Sequence, residues 1–175
     1  MEIIETERLL LRRPRAADAP AIFARYASDP EVTRYLSWPT HRSLDDTHAF
    51  IAFSDELWGR WPMGPLQVFA RDGVTLLGGA GLIHETPYRA STGYVFAQDA
   101  WGRGYATEAL GATVAWARTT SLRRIQAGVH SEHRPSRRVL EKAGFDCEGL
   151  MRAFSEFPNL RPGEPCDVFS YALVF

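Results

Sequence analysis

Residues 93–110 read Gly93-Tyr-Val-Phe-Ala-Gln-Asp-Ala-Trp-Gly-Arg-Gly-Tyr-Ala-Thr-Glu-Ala-Leu110. The stretch opens as a strand, because Tyr94, Val95 and Phe96 are consecutive aromatic or β-branched residues. It breaks at Gly102-Arg103-Gly104 and resumes as an alanine-rich helix through Ala106, Ala109, Leu110, Val114 and Ala117. A strand, a glycine turn and a helix gather several backbone N–H groups at the positive end of the helix dipole. Such a turn binds anions, most often phosphate. Glycine suits it by tolerating positive φ and letting a ligand approach the backbone. The Walker string Gly-x-x-x-x-Gly-Lys-Ser/Thr does not occur. The dinucleotide fingerprint would need a third small residue where Thr107 stands, and this strand comes late in the chain. On these residues alone the turn is either a phosphate cradle or a plain strand-to-helix connection.

Neighbouring stretches narrow the choice. Trp101-Gly-Arg-Gly-Tyr-Ala-Thr-Glu-Ala109 is followed by Ser136-Arg-Arg-Val-Leu-Glu-Lys-Ala-Gly-Phe145 and then Glu148-Gly149. These words resemble the acyl-coenzyme A motifs of the GNAT superfamily of N-acetyltransferases. Thr6-Glu7-Arg8-Leu9-x-Leu11-Arg12 and Asp29-Pro30-Glu31-Val32 resemble its RimJ/RimL-type branch, which includes ribosomal-protein N-terminal acetyltransferases. The words occur in the family's order from about Glu5 to the end of the chain. The resemblance implies one acetyltransferase domain over residues 1–175. Its fold would be α/β: a mostly antiparallel seven-stranded sheet flanked by helices and splayed between the fourth and fifth strands, with coenzyme A in the gap.

Composition agrees with that scale. A chain of 175 residues, 45% hydrophobic and 23% charged, suits one globular domain with a sizeable core. A net charge of −1 supplies no basic field to attract nucleic acid or a membrane surface. The start, Met1-Glu2-Ile3-Ile4-Glu5, lacks the basic and apolar pattern of a signal peptide. No run approaches the ~20 apolar residues of a membrane span. A cytoplasmic protein is expected, and there Cys147 and Cys166, which match no metal spacing, would be free thiols. Both a monomer and a homodimer fit the sequence.

In chain order, residues 5–13 read as a strand with Leu9 and Leu11 on one face. Asp18 is placed to cap a helix reaching Tyr26, with Pro20 in its first turn, and Asp29-Pro30 starts a short helix through Tyr35. Ser43 and Asp46 form a capping-box pattern before a helix with Phe50, Ile51, Leu57 and Trp58 on one stripe. Strands near 66–71 and 75–83 flank the turn Arg71-Asp72-Gly73. Gly78, Gly79 and Gly81 inside the second mark close approach of another backbone or a ligand, or a bulge. A strand over 91–97, a helix over 104–119 and a strand over 124–130 follow. Pro135 and Gly144 bracket a short helix with Val139, Leu140 and Ala143. Strands near 145–156 and 167–174 enclose a proline-rich loop. Alternating strands and helices together with hairpins predict a mixed sheet.

The chemistry implied by the resemblance is acetyl transfer from acetyl-coenzyme A to a primary amine. The pyrophosphate must be held, the amine must be neutral, and the leaving thiolate must be protonated. Family motifs place the pyrophosphate on Trp101, Gly102, Arg103, Gly104, Tyr105, Ala106 and Thr107, and the pantetheine arm on the backbone of Val95, Phe96 and Ala97. The side chains of Tyr94, Val95 and Phe96 read as core. Many members carry a tyrosine acid where this chain has Leu140. In the RimJ/RimL branch the acid is a serine, and Ser136 stands at that position, where a hydroxyl also caps helices. His133 replaces the asparagine of the same motif, where it is a candidate to bind the cofactor amide and is also open to titration near neutral pH. Arg138, clustered with Arg134 and Arg137, is placed for the cofactor's 3′-phosphate or an acidic acceptor, or for a solvated helix face. A glutamate that often serves as base is here Ser91, leaving Glu85 as candidate, then His84, His130 and Glu156. Glu108 reads as a partner of the helix dipole or of a nearby arginine. Trp38, Trp58 and Trp61 are candidates for the acceptor wall, with Trp58 expected in the core. A protein N-terminal α-amine is the leading acceptor by resemblance. The alternatives are a small-molecule amine (aminoglycoside, polyamine or amino acid) or a non-catalytic acyl-coenzyme A-binding module.

Overall fold

The structure, a computed structural model, describes residues 3–175. A short strand that the sequence does not announce precedes the first expected one. β1 (Ile3–Glu5) and β2 (Leu9–Arg12) pair antiparallel about a turn in which the Thr6 N–H donates to the Leu9 carbonyl at 2.9 Å. The additional strand raises the sheet from the expected seven strands to eight.

The segment after β2 forms one side layer. Asp18 stands at the N-cap of α1 as expected but makes no side-chain cap bond there: its carboxylate accepts the Arg15 N–H at 2.7 Å, closing the short 3-10 turn before α1, and pairs with the Arg12 guanidinium. α1 (Ala19–Ile22) carries Pro20 in its first turn and runs into a widened turn ending where the Ser28 N–H meets the Phe23 carbonyl at 3.1 Å. α2 (Pro30–Thr33) is shorter than expected, with Asp29 accepting the Glu31 and Val32 N–H groups. α3 (Leu44–Arg60) starts on the expected capping box between Ser43 and Asp46. Ile51 on its stripe is buried, and Phe50 and Trp58 are partly buried.

The remaining strands are β3 (Pro65–Ala70), β4 (Leu76–Thr86), β5 (Arg89–Phe96), β6 (Arg124–His130), β7 (Asp146–Glu156) and β8 (Pro165–Val174). The sheet order is β1-β2-β3-β4-β5-β6-β8-β7, antiparallel except between β5 and β6. That one parallel pair is joined by α4 (Tyr105–Ala117), as a parallel crossover requires. α5 (Arg134–Lys142) follows β6. Leu9, Leu11, Val68, Leu82, Ile125 and Tyr171 of the sheet are buried in one core together with Leu140 of α5. Each such aliphatic side chain contributes roughly 1.5–3 kcal/mol of burial free energy.

The parallel pair stays together only briefly. Arg89–Ser91 face Arg124–Gln126, and no pairing continues beyond. β5 goes on along β4 to Phe96, while β6 goes on along β8 to His130. The two halves of the sheet therefore part at the C-terminal ends of β5 and β6, the splay that the resemblance implied. The cleft they open has a volume of about 1740 Å³.

Candidate active site

The glycine turn lies at one end of this cleft. Gly104 has φ +81° and caps α4, and Gly102 has φ +71°. A Cβ on Gly102 would meet nothing within 4 Å, and one on Gly104 only the tip of Arg8, at 3.4 Å. The first helical bond of α4 runs from the Glu108 N–H to the Gly104 carbonyl. Among the described residues, the N–H groups from Gly102 to Thr107 have no acceptor. A row of free amides at a helix N-terminus, with the dipole behind it, is an anion cradle. Trp101, Gly102, Gly104, Tyr105, Ala106 and Thr107 line the cleft there, and Arg103 does not.

The turn is pinned from behind by the residues of the opening word. Glu108 accepts from the Thr6 hydroxyl at 2.6 Å and from the Arg8 Nε at 2.7 Å. Arg8 Nη1 also donates to the Arg103 carbonyl at 2.9 Å, and its guanidinium lies over the Tyr105 ring at 4.9 Å. Glu108 thus serves an arginine rather than a ligand. At the other end of the turn, the Trp101 indole donates to the Phe96 carbonyl at 2.7 Å while its ring is half exposed.

Along β5 the expected backbone contacts divide. The Ala97 N–H is taken by the Leu77 carbonyl at 2.9 Å, and Ala97 is buried off the cleft. By the alternation of an antiparallel ladder, Val95 and Ala97 turn their backbone groups to β4, whereas Tyr94 and Phe96 turn theirs to the open side. Phe96 packs its ring in the core, as expected. Tyr94 packs against the core as expected, and its phenol also reaches across the gap to Ser136, 2.8 Å from Oγ and 2.9 Å from the carbonyl oxygen. Ser136 makes no capping bond; its hydroxyl partner is Tyr94. Leu140, at the position of the family's usual tyrosine, is fully buried.

The base candidates scatter. Glu85 sits at the closed end of the sheet, held by Arg89 at 2.9 Å and by the Gln126 amide at 2.9 Å, and it does not line the cleft. The strands are still paired at that position, away from the mouth of the cleft. His84 is buried beneath Trp61, with ring centroids 4.8 Å apart, and is also off the cleft. Glu156 is exposed outside it. His130 lies within, but its Nδ1 accepts the Glu132 N–H at 3.2 Å, and burial lowers its pKa. His133 stacks on Tyr35 at 4.6 Å; burial, with His130 beside it, holds its pKa down to about 4. It is therefore neutral at physiological pH, contrary to the titration near neutrality expected for it.

The arginine cluster also divides. Arg138 lines the cleft, and Lys142 one turn later on α5 joins it. Arg137 faces the other way, over the Phe169 ring at 4.1 Å and bonded to the Tyr171 hydroxyl. Of the three tryptophans only Trp38 lines the cleft; Trp58 packs in the core and donates to the Pro65 carbonyl. The loop carrying Trp38 is fixed by Asn159, whose amide donates to the Thr33 and Trp38 carbonyls at 2.8 Å and accepts the Thr40 N–H at 2.8 Å. Neither Asn159 nor Tyr94 carries a sequence signal for these contacts, because both act across large sequence separations.

Comparison with known proteins gives these features a context. The acetyltransferase (GNAT) domain family matches residues 8–146. An uncharacterized N-acetyltransferase of Bacillus subtilis, YoaA, is 33% identical over 180 residues, covering 98% of this chain and 96% of that protein. An acetyltransferase of the GNAT family from Bacillus anthracis superposes with a TM-score of 0.84 at 28% identity, covering 98% of each chain. RimL, a ribosomal L7/L12 α-N-protein acetyltransferase solved with coenzyme A, shares the fold with a TM-score of 0.87 at 22% identity, covering 99% of this chain and 98% of its own.

Proposed function

The chain belongs to the GNAT acetyltransferase family, and from that premise we propose that it acetylates the α-amine of a protein N-terminus. It is an N-acetyltransferase, and acetyl-coenzyme A is its acetyl donor. The observation that carries the site assignment is the row of free amides from Gly102 to Thr107 at the mouth of the splayed sheet. These amides hold the pyrophosphate. Arg138 and Lys142 take the 3′-phosphate, and the Tyr94 backbone with the Phe96 N–H guides the pantetheine arm toward Ser136. Ser136 then donates a proton to the departing thiolate. The amine attacks in its neutral form, delivered by solvent, because Glu85 and Glu156 lie outside the cleft. Two free thiols, Cys147 and Cys166, suit a reducing, cytoplasmic setting.

The acceptor wall favours a peptide over a polycation. It is built of rings, with Tyr35, Trp38, Phe50, Phe154 and Phe157 facing the cleft. Of its carboxylates, Asp46 is spent on the Arg42 and Ser43 N–H groups and Glu31 faces Arg34 at 3.6 Å, which leaves Glu132 as the one without an ion-pair partner among the described residues. A polyamine or aminoglycoside needs several unpaired carboxylates. A peptide N-terminus offers one amine and side chains that fit between rings. Coenzyme A release with short peptides of varied first residue, compared with polyamines, aminoglycosides and amino acids, tests this. Peptides turn over with kcat/KM at least about tenfold above the best small amine. Faster turnover of an aminoglycoside or polyamine sinks the acceptor assignment.

A further inference from the structure

Resting on the reading of Ser136 as the acid, we propose that Tyr94 is a positioning residue that switches the direction of the Ser136 hydroxyl. Tyr94 stands on β5 beyond the last residue paired with β6, so its side chain bridges the open part of the sheet. Its single phenol proton faces two acceptors at nearly equal range, the Ser136 carbonyl at 2.9 Å and Oγ at 2.8 Å. A carbonyl oxygen only accepts, so two arrangements exist. In one, the phenol donates to the carbonyl and the serine hydroxyl donates back to the phenol oxygen, which turns the serine proton away from the cleft. In the other, the phenol donates to Oγ, and the serine proton is free to point at sulfur.

Charge development selects the second arrangement. As the C–S bond of the thioester breaks, electron density gathers on sulfur and the Oγ–H bond gives up its proton to it. The new S–H bond forms while negative charge appears on Oγ, where the phenol O–H now donates. The proton lost by the attacking amine restores the serine, so one proton passes in net terms from nitrogen to sulfur. Tyr94 keeps its own proton throughout. Burial raises its pKa well above the usual phenol value, so it is a permanent donor. A neighbouring phenol, Tyr171, cannot substitute: it is engaged by Arg137 and Glu141. Leu140 leaves the helix without a phenol, and Tyr94 supplies one from the opposite wall.

The test is a double-mutant cycle of Tyr94→Phe and Ser136→Ala with acetyl-coenzyme A and the best amine of the acceptor panel. Each single substitution lowers kcat by about tenfold or more, with KM for acetyl-coenzyme A within about twofold of wild type. The double variant is no slower than Ser136→Ala alone, because Tyr94 acts only through Ser136. Losses that multiply, or an unchanged kcat in Tyr94→Phe, overturn the proposal. An unchanged kcat in Ser136→Ala removes Ser136 as the acid, a separate failure. If Tyr94→Phe folds poorly, 3-fluorotyrosine at position 94 keeps both volume and O–H. It then shifts kcat at least about twofold with KM unchanged, and an unchanged kcat overturns the proposal.

Discussion

Two glycine-rich regions look alike in the sequence and differ in the folded chain. Gly78, Gly79 and Gly81 sit in β4; Gly102 and Gly104 form the turn before α4. In β4 the space that a side chain would use already holds protein. A Cβ on Gly78 would lie 2.1 Å from the Val95 carbonyl oxygen, and one on Gly81 2.6 Å from that of Gly64. Gly79 is the mild case, its nearest neighbours at 3.4 Å. In the turn the same space is empty apart from the tip of Arg8. Glycine in β4 therefore lets strands of the sheet approach one another, and glycine in the turn lets something from outside the chain approach it.

The comparison breaks most decisively at Gly78. In Gly78→Ala the methyl group must push β5 away from β4, because the clash is with backbone and no rotamer relieves it. The variant loses at least about 3 kcal/mol of stability, and its thermal midpoint falls by about 10 °C. A midpoint within 2 °C of wild type, by about the precision of a melt, would mean that β4 has room to spare.

Gly104→Val probes the other region. Valine at φ +81° costs about 1–2 kcal/mol in backbone strain. Its side chain also crowds the Arg8 guanidinium, 3.4 Å from the Cβ position, and so disturbs the contacts that hold the turn in shape. The folded variant binds acetyl-coenzyme A at least about a hundredfold more weakly, roughly 2.8 kcal/mol, while the Gly78→Ala fraction that remains folded binds it normally. Calorimetric titration, paired with a melt to confirm folding, reads both. Near-normal affinity in folded Gly104→Val would remove the pyrophosphate from the turn and erase the distinction between the two regions.

The reason one region was readable and the other was not lies in the range of the interactions. The turn is local: strand, Gly-x-Gly and helix occur within eighteen consecutive residues, so the cradle is written in one piece. The capping box of α3 and the brackets of α5 are equally local. In β4 the glycines answer to Val95 and Gly64, which sequence alone does not place beside them. The same holds for the catalytic groups. Ser136 was named from its motif, but its partner Tyr94 lies 42 residues away and reads as an ordinary strand aromatic. Glu85 was named from its nearness to a strand end, and the length of β4 carries it to the closed end of the sheet. β1 escaped because three residues and a one-turn connection leave almost no periodic signal.

The comparison extends from backbone to rings at His133, where the effect is smaller. Its imidazole lines the cleft, as a ligand-facing group would, yet Tyr35 stacks on it at 4.6 Å and its surroundings hold the pKa down to about 4. The unfolded chain has the ordinary value of 6.5. Between these two values the unfolded state binds the proton and the folded state does not, so stability falls as pH drops through this window. Above about pH 6.5 the residue adds no pH dependence, and below about 4 its effect is complete. His133→Asn removes this titration. Chemical denaturation at pH 7.5 and 4.5 then shows wild type losing about 1–2 kcal/mol more than the variant, after allowing for water at the ring. Equal losses in both proteins would mean that His133 is solvated in the folded state. It would then belong with the turn glycines, as a position left open for a ligand.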